Sequence, residues 1–410
     1  MKRTVLVLLL ALLATTALSG NAGSAYTMFG IGDLVYYPSV RSAGMGFTGI
    51  GLPAATYINS LSPAAWSRIN RVRIEAIGVY EGIGSSDGSA SLYQARGLFN
   101  GVHLALPISQ AKGIVFAAGF APYSRIRYNT SFLGTQGNVE YRLNEIGSGG
   151  LTRGQVGLSY APLEDLAIGA SVNYLFGKTS TQRVFTPTSS NYFGGTSFVE
   201  AENRGTNFTF STLFTGLGRL SDALRPFSLG FVLTTQANVT EDVTNRMEYL
   251  LEADTLILGT RKLTIPVSWG VGAAYQLSDR WLFAADYFTQ KWDGARLDNQ
   301  PLVNIRTNHR FGFGVEKLPL RDASSWWDKL AYRLGFCYEA TYYRVNGEPI
   351  NQWSVTGGLT MPVFADTRFN IGVEYAQRGV QQGVLVRDRI IRVAFSLMFS
   401  ELWFVPYEEE

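Results

Sequence analysis

The chain has 410 residues, of which 16% are charged, 13% are aromatic and 44 are glycine, and its formal net charge is +3. Soluble proteins carry roughly 25% charged residues, so a soluble fold of this length would be short of polar surface, whereas a wall facing lipid would not. The weak positive balance, scattered without a basic block, argues against nucleic acid as a partner.

The first residues form a basic cap on Lys2 and Arg3, an apolar run from Val5 to Leu13 and a small-residue stretch ending Gly23-Ser24-Ala25. That is the layout of a secretory signal peptide, residues 1–25, with cleavage expected after Ala25. The apolar run is too short for the roughly 20 residues a membrane-spanning helix needs. No later run approaches that length, so strands are the remaining way to cross a bilayer with every backbone group satisfied.

Residues 26–70 do not read as wall strands. They contain Gly30-Ile31-Gly32, then Arg41-Ser42-Ala43-Gly44-Met45-Gly46, then Asn59-Ser60-Leu61-Ser62-Pro63-Ala64-Ala65-Trp66. Glycine and alanine at this density suit tight turns and close backbone approach. The segment is too apolar for a free tail and too short for a soluble domain, which suits a plug inside a barrel.

From residue 71 one pattern repeats: an alternating segment, then a polar or Gly/Pro/Asp-rich connection. The strand windows are 71–81, 96–106, 112–121, 152–161, 166–178, 204–216, 226–237, 262–276, 281–291, 306–317, 330–341, 351–361, 367–377 and 387–399. They number fourteen, an even count as single-chain bacterial barrels require, and nearly every odd-numbered connection is longer than its neighbours. That asymmetry separates long outer loops, around Ser131, Tyr192 and Tyr249, from short periplasmic turns such as 161–165 and 277–280; a soluble β-sandwich gives no reason for it. The expected fold is all-β: a transmembrane antiparallel β-barrel over 71–399, plugged by 26–70, with a periplasmic extension at 400–410.

Parity assigns the two faces of the wall. In 262–276 the lipid face reads Leu263, Ile265, Val267, Trp269, Val271, Ala273 and Tyr275, and small or polar residues alternate with them. In 166–178, Ile168, Ala170, Val172, Tyr174 and Phe176 point outward against Gly169, Ser171, Asn173 and Gly177. The charges Arg73, Glu75, Asp286, Arg310, Glu316, Arg333, Glu339, Glu374 and Arg392 all fall on inward faces. A charge facing hydrocarbon at the bilayer midplane costs about 2–4 kcal/mol, so barrel formation alone accounts for this placement. Cross-strand pairing that braces the lumen, or a ladder that guides a ligand, are the two roles open to these side chains. Cys337 is the single cysteine, which excludes an intramolecular disulfide and leaves a small buried filler.

The plug-region motifs Ala43-Gly44-Met45-Gly46 and Pro63-Ala64-Ala65 resemble those of the FadL/TodX family, outer-membrane channels for long-chain fatty acids and aromatic hydrocarbons. Ser62 stands where that family usually has asparagine. The resemblance implies fourteen strands, an N-terminal hatch and long outer loops. The superfamily includes PorV-like barrels, which serve as shuttle or attachment partners in type IX protein secretion rather than as transporters. The extension Ser400-Glu401-Leu402-Trp403 onward, past the expected strand-end aromatic Phe399, keeps that alternative open.

No enzyme constellation emerges. His103 and His309 are the only histidines, no His/Cys set has metal-ligand spacing, and His309 has outward parity while His103 suits an interfacial position. No nucleotide, metal or redox cofactor is called for. The expected function is passive uptake of hydrophobic small molecules at the outer membrane of a diderm bacterium. Outer-membrane lipid and lipopolysaccharide would surround the wall, the barrel-assembly machinery would act during insertion, and a secretion-system partner belongs to the alternative.

Overall fold

The computed structural model describes residues 23–36, 39–137, 139–189, 191–249, 252–320, 324–364, 366–381 and 385–402. Of the expected signal peptide, 1–25, residues 1–22 lie outside the described residues, as do residues 403–410 of the expected extension, 400–410. No described helix is long and apolar enough to cross a membrane.

Fourteen antiparallel strands close into a transmembrane barrel. They are β1 (Val72–Ser86), β2 (Ser91–Ser109), β3 (Ile114–Pro122), β4 (Thr152–Leu163), β5 (Leu166–Pro187), β6 (Gly195–Phe214) and β7 (Phe227–Thr234). The second half comprises β8 (Ser268–Gln276), β9 (Trp281–Gln290), β10 (Asn308–Lys317), β11 (Ala331–Val345), β12 (Glu348–Phe364), β13 (Thr367–Arg378) and β14 (Arg387–Glu401). Each pairs with its neighbours in chain order, and β1 returns to β14 from Val72↔Glu401 to Ser86↔Arg387. Closure gives every wall strand a partner on both sides over at least part of its length.

Alternation puts the lipid face outside. Along β5, Ile168, Val172 and Tyr174 are 42–48% exposed, whereas Ser171 and Asn173 are buried. Outward aromatics gather into belts where lipid meets water. One holds Phe99 and Phe120, ring centroids 5.7 Å apart, and the run Trp269, Tyr287 and Phe311. The other, at the opposite strand ends, holds Phe227 with Tyr275 and the exposed Trp281.

Several expected loops are strands. The connection 82–95 shrinks to 87–90 because β1 and β2 run on past the membrane, and 342–350 shrinks to a turn at 346–347. Residues 124–149 form a hairpin, Ser124–Gln136 with Val139–Gly149, that pairs with the upper part of β5. Residues 237–265 form another, Ala237–Tyr249 with Glu252–Ile265, that pairs with the upper part of β6.

The window 262–276 is therefore two elements. The chain leaves the outer hairpin at Ile265 and enters the wall at Ser268, broken by Pro266 and Val267. Trp269 and Val271 do face outward, but Leu263 and Ile265 are buried at 4% and 0% exposure in an apolar cap with Trp292, Tyr342 and Tyr343. Alternation ran on unbroken through the proline while the surface being covered changed.

Candidate functional site

Residues 23–69 lie within the ring of strands and touch its inner face from several sides. The path begins at the outer end. Ser24 caps the 3-10 turn Ala25–Met28, and its hydroxyl donates to Asp388. Asp33–Leu34 pairs with Arg125 and Ser124 of the first hairpin. The chain then descends to the short helix Val40–Ala43, whose N-cap is Ser39, against β12 and β13. It ends on a second 3-10 turn, Pro63–Arg68, against β4, β5 and β6.

Wall glycines make this approach possible. Gly230 and Gly272 meet the plug backbone at Ile50 and Gly51, Gly312 and Gly335 meet it at Gly46, and Gly169 meets it at Pro63 and Ala64. A Cβ at any of them would collide with that backbone. Reciprocally, Gly44 packs on Gly358, and Gly46 has φ +63° while lying on the carbonyls of Phe313 and Phe336. Ala43 is buried against Gly372.

Polar contacts fix the register of plug on wall. Asp286 accepts from the Gly49 and Ile50 amides at 2.6 and 2.8 Å, the Gly46 amide donates to Thr356 Oγ1, and the Ala64 amide donates to Ser211 Oγ. Asn59 organises the plug internally: its Nδ2 donates to the Gly49 carbonyl and its Oδ1 accepts from Leu61 and Ser62. Ser62 Oγ, where the resemblance expected asparagine, has no hydrogen-bond partner.

The nine expected inward charges, joined by Glu81 and Arg96, divide into groups. Arg96, Glu81, Arg392 and Glu374 form a ladder of alternating sign across β2, β1, β14 and β13, each pair in direct register, with contacts of 2.7, 2.6 and 3.0 Å. This ladder straddles the closure of the barrel. Glu316 takes Arg333 from the neighbouring strand at 2.7 Å and Arg41 from the plug. Burial opposes the Arg41 charge, but Glu316 and Tyr57 outweigh it and raise the pKa; burial pushes the Tyr57 hydroxyl up to about 12. Glu75 accepts from Ser396, and Arg73 reaches Asp366 at 3.3 Å. Arg310 sits opposite Glu339 in register and stacks on the plug's Tyr36.

Several lumen groups were missed from sequence. Glu81 shares the parity of Arg73 and Glu75, and Asp388 that of Arg392, so the signal was present for both. Arg96 was hidden: a bulge at Asn100 inverts the parity of β2, so His103 and Arg96 both face inward despite odd and even numbers. His103 is accordingly buried in the lumen rather than interfacial, while His309 lies on the outer face beside Tyr287.

The lumen is filled. Two cavities of about 60 Å³ each flank the strap Leu34–Tyr36, both also lined by Arg310. A bay of about 270 Å³ opens at the periplasmic end between Lys329, Arg333 and Arg368. The larger space is an outer vestibule of about 650 Å³, lined by Leu92 and Gln94 of β2, Phe132 of the first hairpin, and Tyr26, Met28 and Phe29 of the plug. It coincides with a seam. β2 pairs with β3 from Val102 downward, and among the described residues Ser91–Gly101 has no wall partner on that side.

A family model described as BamG matches residues 1–408. No curated protein matches the chain in sequence. Solved structures share the fold at low identity. A Pseudomonas aeruginosa FadL homologue superposes with a TM-score of 0.59 at 14% identity, covering 90% of this chain and 98% of that one. The Pseudomonas putida toluene transporter TodX gives 0.58 at 17%, covering 91% and 100%. The CymD monoaromatic hydrocarbon channel gives 0.58 at 13%, covering 89% and 97%.

Proposed function

The chain belongs to the BamG family, and from that premise we propose that its closed barrel admits hydrophobic compounds, long-chain fatty acids or aromatic hydrocarbons among them, passively across the outer membrane of a diderm bacterium. The observation that carries this reading is the vestibule of about 650 Å³ lying on the seam between β2 and the first hairpin. Its size falls within the roughly 300–1,000 Å³ typical of small-molecule sites. The fold it shares with structures described as toluene and monoaromatic hydrocarbon channels supports the reading.

Physically, a solute burying about 150–250 Å² of apolar surface between Leu92, Phe132, Tyr26 and Phe29 gains roughly 4–6 kcal/mol. Association entropy takes back much of that, leaving weak binding suited to passage rather than storage. The ion-paired lumen beneath is a poor route for an apolar molecule, so exit runs sideways through the seam toward lipid. Transport needs no catalytic step or cofactor. The test is uptake of radiolabelled toluene and a long-chain fatty acid into proteoliposomes by the wild type, Phe29→Glu and Phe132→Arg. About tenfold slower uptake by either variant is expected; absence of wild-type uptake across both solutes overturns the reading.

A second reading, an attachment barrel in protein secretion, is favoured by the second outer hairpin. Leu256, Ile257 and Leu258 are 56%, 78% and 51% exposed there, on a strand whose outer edge, among the described residues, pairs only at Leu263 and Thr264. In-cell crosslinking from position 257 to a secreted or envelope protein, with negligible solute uptake, would select it.

A further inference from the structure

The cavity on the β3–β9 side of the strap has an unusual lining. Arg153 and Arg310 both reach it, as do Tyr123, Asn100, Ser268 and Gln290, and no carboxylate does. Arg310 is 3% exposed, and neither its Nη1 nor its Nη2 has a hydrogen-bond partner. Its guanidinium carbon lies 4.1 Å from the Tyr36 ring centroid and 5.3 Å from that of Phe288, two rings that pack edge-on against each other 5.6 Å apart. The rings supply only their π faces and edges, so the guanidinium N–H donors are left without an acceptor there. Its register partner Glu339 lines the other cavity and forms no ion pair with it within 4.0 Å. Arg153 has a single hydrogen bond, 3.5 Å from Nη2 to the Ser60 carbonyl. The Tyr123 hydroxyl accepts from Gln290 Nε2, which leaves its own hydrogen to donate.

From this geometry we propose that the cavity is a binding site for one small inorganic anion of halide size, held between Arg310 and Arg153. Buried charges are tolerated when paired and costly when not, and an anion entering this carboxylate-free space would supply the acceptor that the Arg310 Nη donors lack. About 60 Å³ accommodates a halide and excludes bulky organic anions. The site joins three parts of the molecule: the strap Leu34–Tyr36, the plug turn at Ser60 and Leu61, and the wall strands β2 to β10. The anion therefore clips the plug to the wall, and by linkage its binding stabilises the plugged state over any state with the strap displaced.

The test uses the full-length mature protein in detergent. Bromide-soaked crystals of the wild type should show an anomalous peak between Arg310 and Arg153. In solution, chloride replacing gluconate at constant ionic strength should raise the thermal midpoint saturably. Arg310→Gln should lose the saturable part, and Arg204→Gln, at an exposed outer ion pair, should keep it. If Arg310→Gln does not fold, Arg153→Gln replaces it, and the bromide experiment stands without any variant. No bromide peak, or the same chloride response in wild type and Arg310→Gln, overturns the proposal and leaves the cavity to water.

Discussion

Replacing Glu316 by glutamine removes the carboxylate that Arg41 and Arg333 share without changing its volume. In the native arrangement Arg333 Nε and Arg41 Nε approach Glu316 at 2.7 and 3.0 Å, and the Glu316 side chain is 2% exposed. Afterwards two buried guanidinia face a neutral amide. Stripping one partner from a buried pair costs about 3–5 kcal/mol, and here the loss falls on the contact between plug and wall. The wall ladder does not depend on the triad, because strand closure satisfies its backbone. Glu316→Gln should therefore still migrate as a heat-modifiable barrel, while its plug loosens and single-channel recording in planar bilayers shows openings absent from the wild type. Adding Arg41→Met removes one of the two repelling charges and should recover part of the thermal midpoint without restoring the plug contact. A Glu316→Gln protein as silent and as thermostable as the wild type would refute the idea that this triad holds the plug.

Gly335→Val should act at the same interface by overpacking: its side chain collides with the Gly46 amide, costing about 1–3 kcal/mol, read as a lower thermal midpoint with β circular dichroism retained. A nitroxide at Trp269 should be relaxed by membrane-dissolved oxygen and one at Arg310 shielded from it, since the first lies on the outer face and the second in the lumen; equal accessibility would mean a one-residue error in register. Burial works against ionisation of Asp366 in the periplasmic turn, but Arg368 and Arg73 outweigh it and hold its pKa below the usual aspartate value of 3.8. A lowered folded pKa contributes stability above pH 3.8 that disappears as pH falls through the folded pKa. Asp366→Asn should accordingly flatten the acid limb of a stability profile below about pH 4; an unchanged limb would count against these ion pairs.

Alternation, charge parity and turn chemistry were enough to place all fourteen wall strands, because a lipid-facing wall imposes period two on every segment. What parity cannot convey is register. The ladder Arg96–Glu81–Arg392–Glu374 depends on which residues of four strands stand side by side, and the bulge at Asn100 reverses the face of every residue above it. The inward glycines of β8 were legible as small, but nothing in 268–276 says that Ile50 and Gly51 press on them. Leu263 and Ile265 misled for a related reason: an apolar residue signals burial or lipid, and only the fold tells which. The vestibule was not legible either, since it arises where β2 loses its neighbour.

The glycine seats bear on how the molecule is assembled. Wall glycines at 169, 230, 272, 312 and 335 receive plug backbone from several directions, and the plug runs from the outer mouth down to the residue where β1 starts. With the plug in place, the lumen beside the strap keeps cavities of only about 60 Å³ each. The plug is continuous with β1, the strand that closes the wall against β14, so the chain that fills the lumen and the chain that seals it are one stretch. The alternating ladder at that closure makes the last strand pairing electrostatically self-registering, because a two-residue slip would move Arg392 off the register positions that set it beside both Glu81 and Glu374.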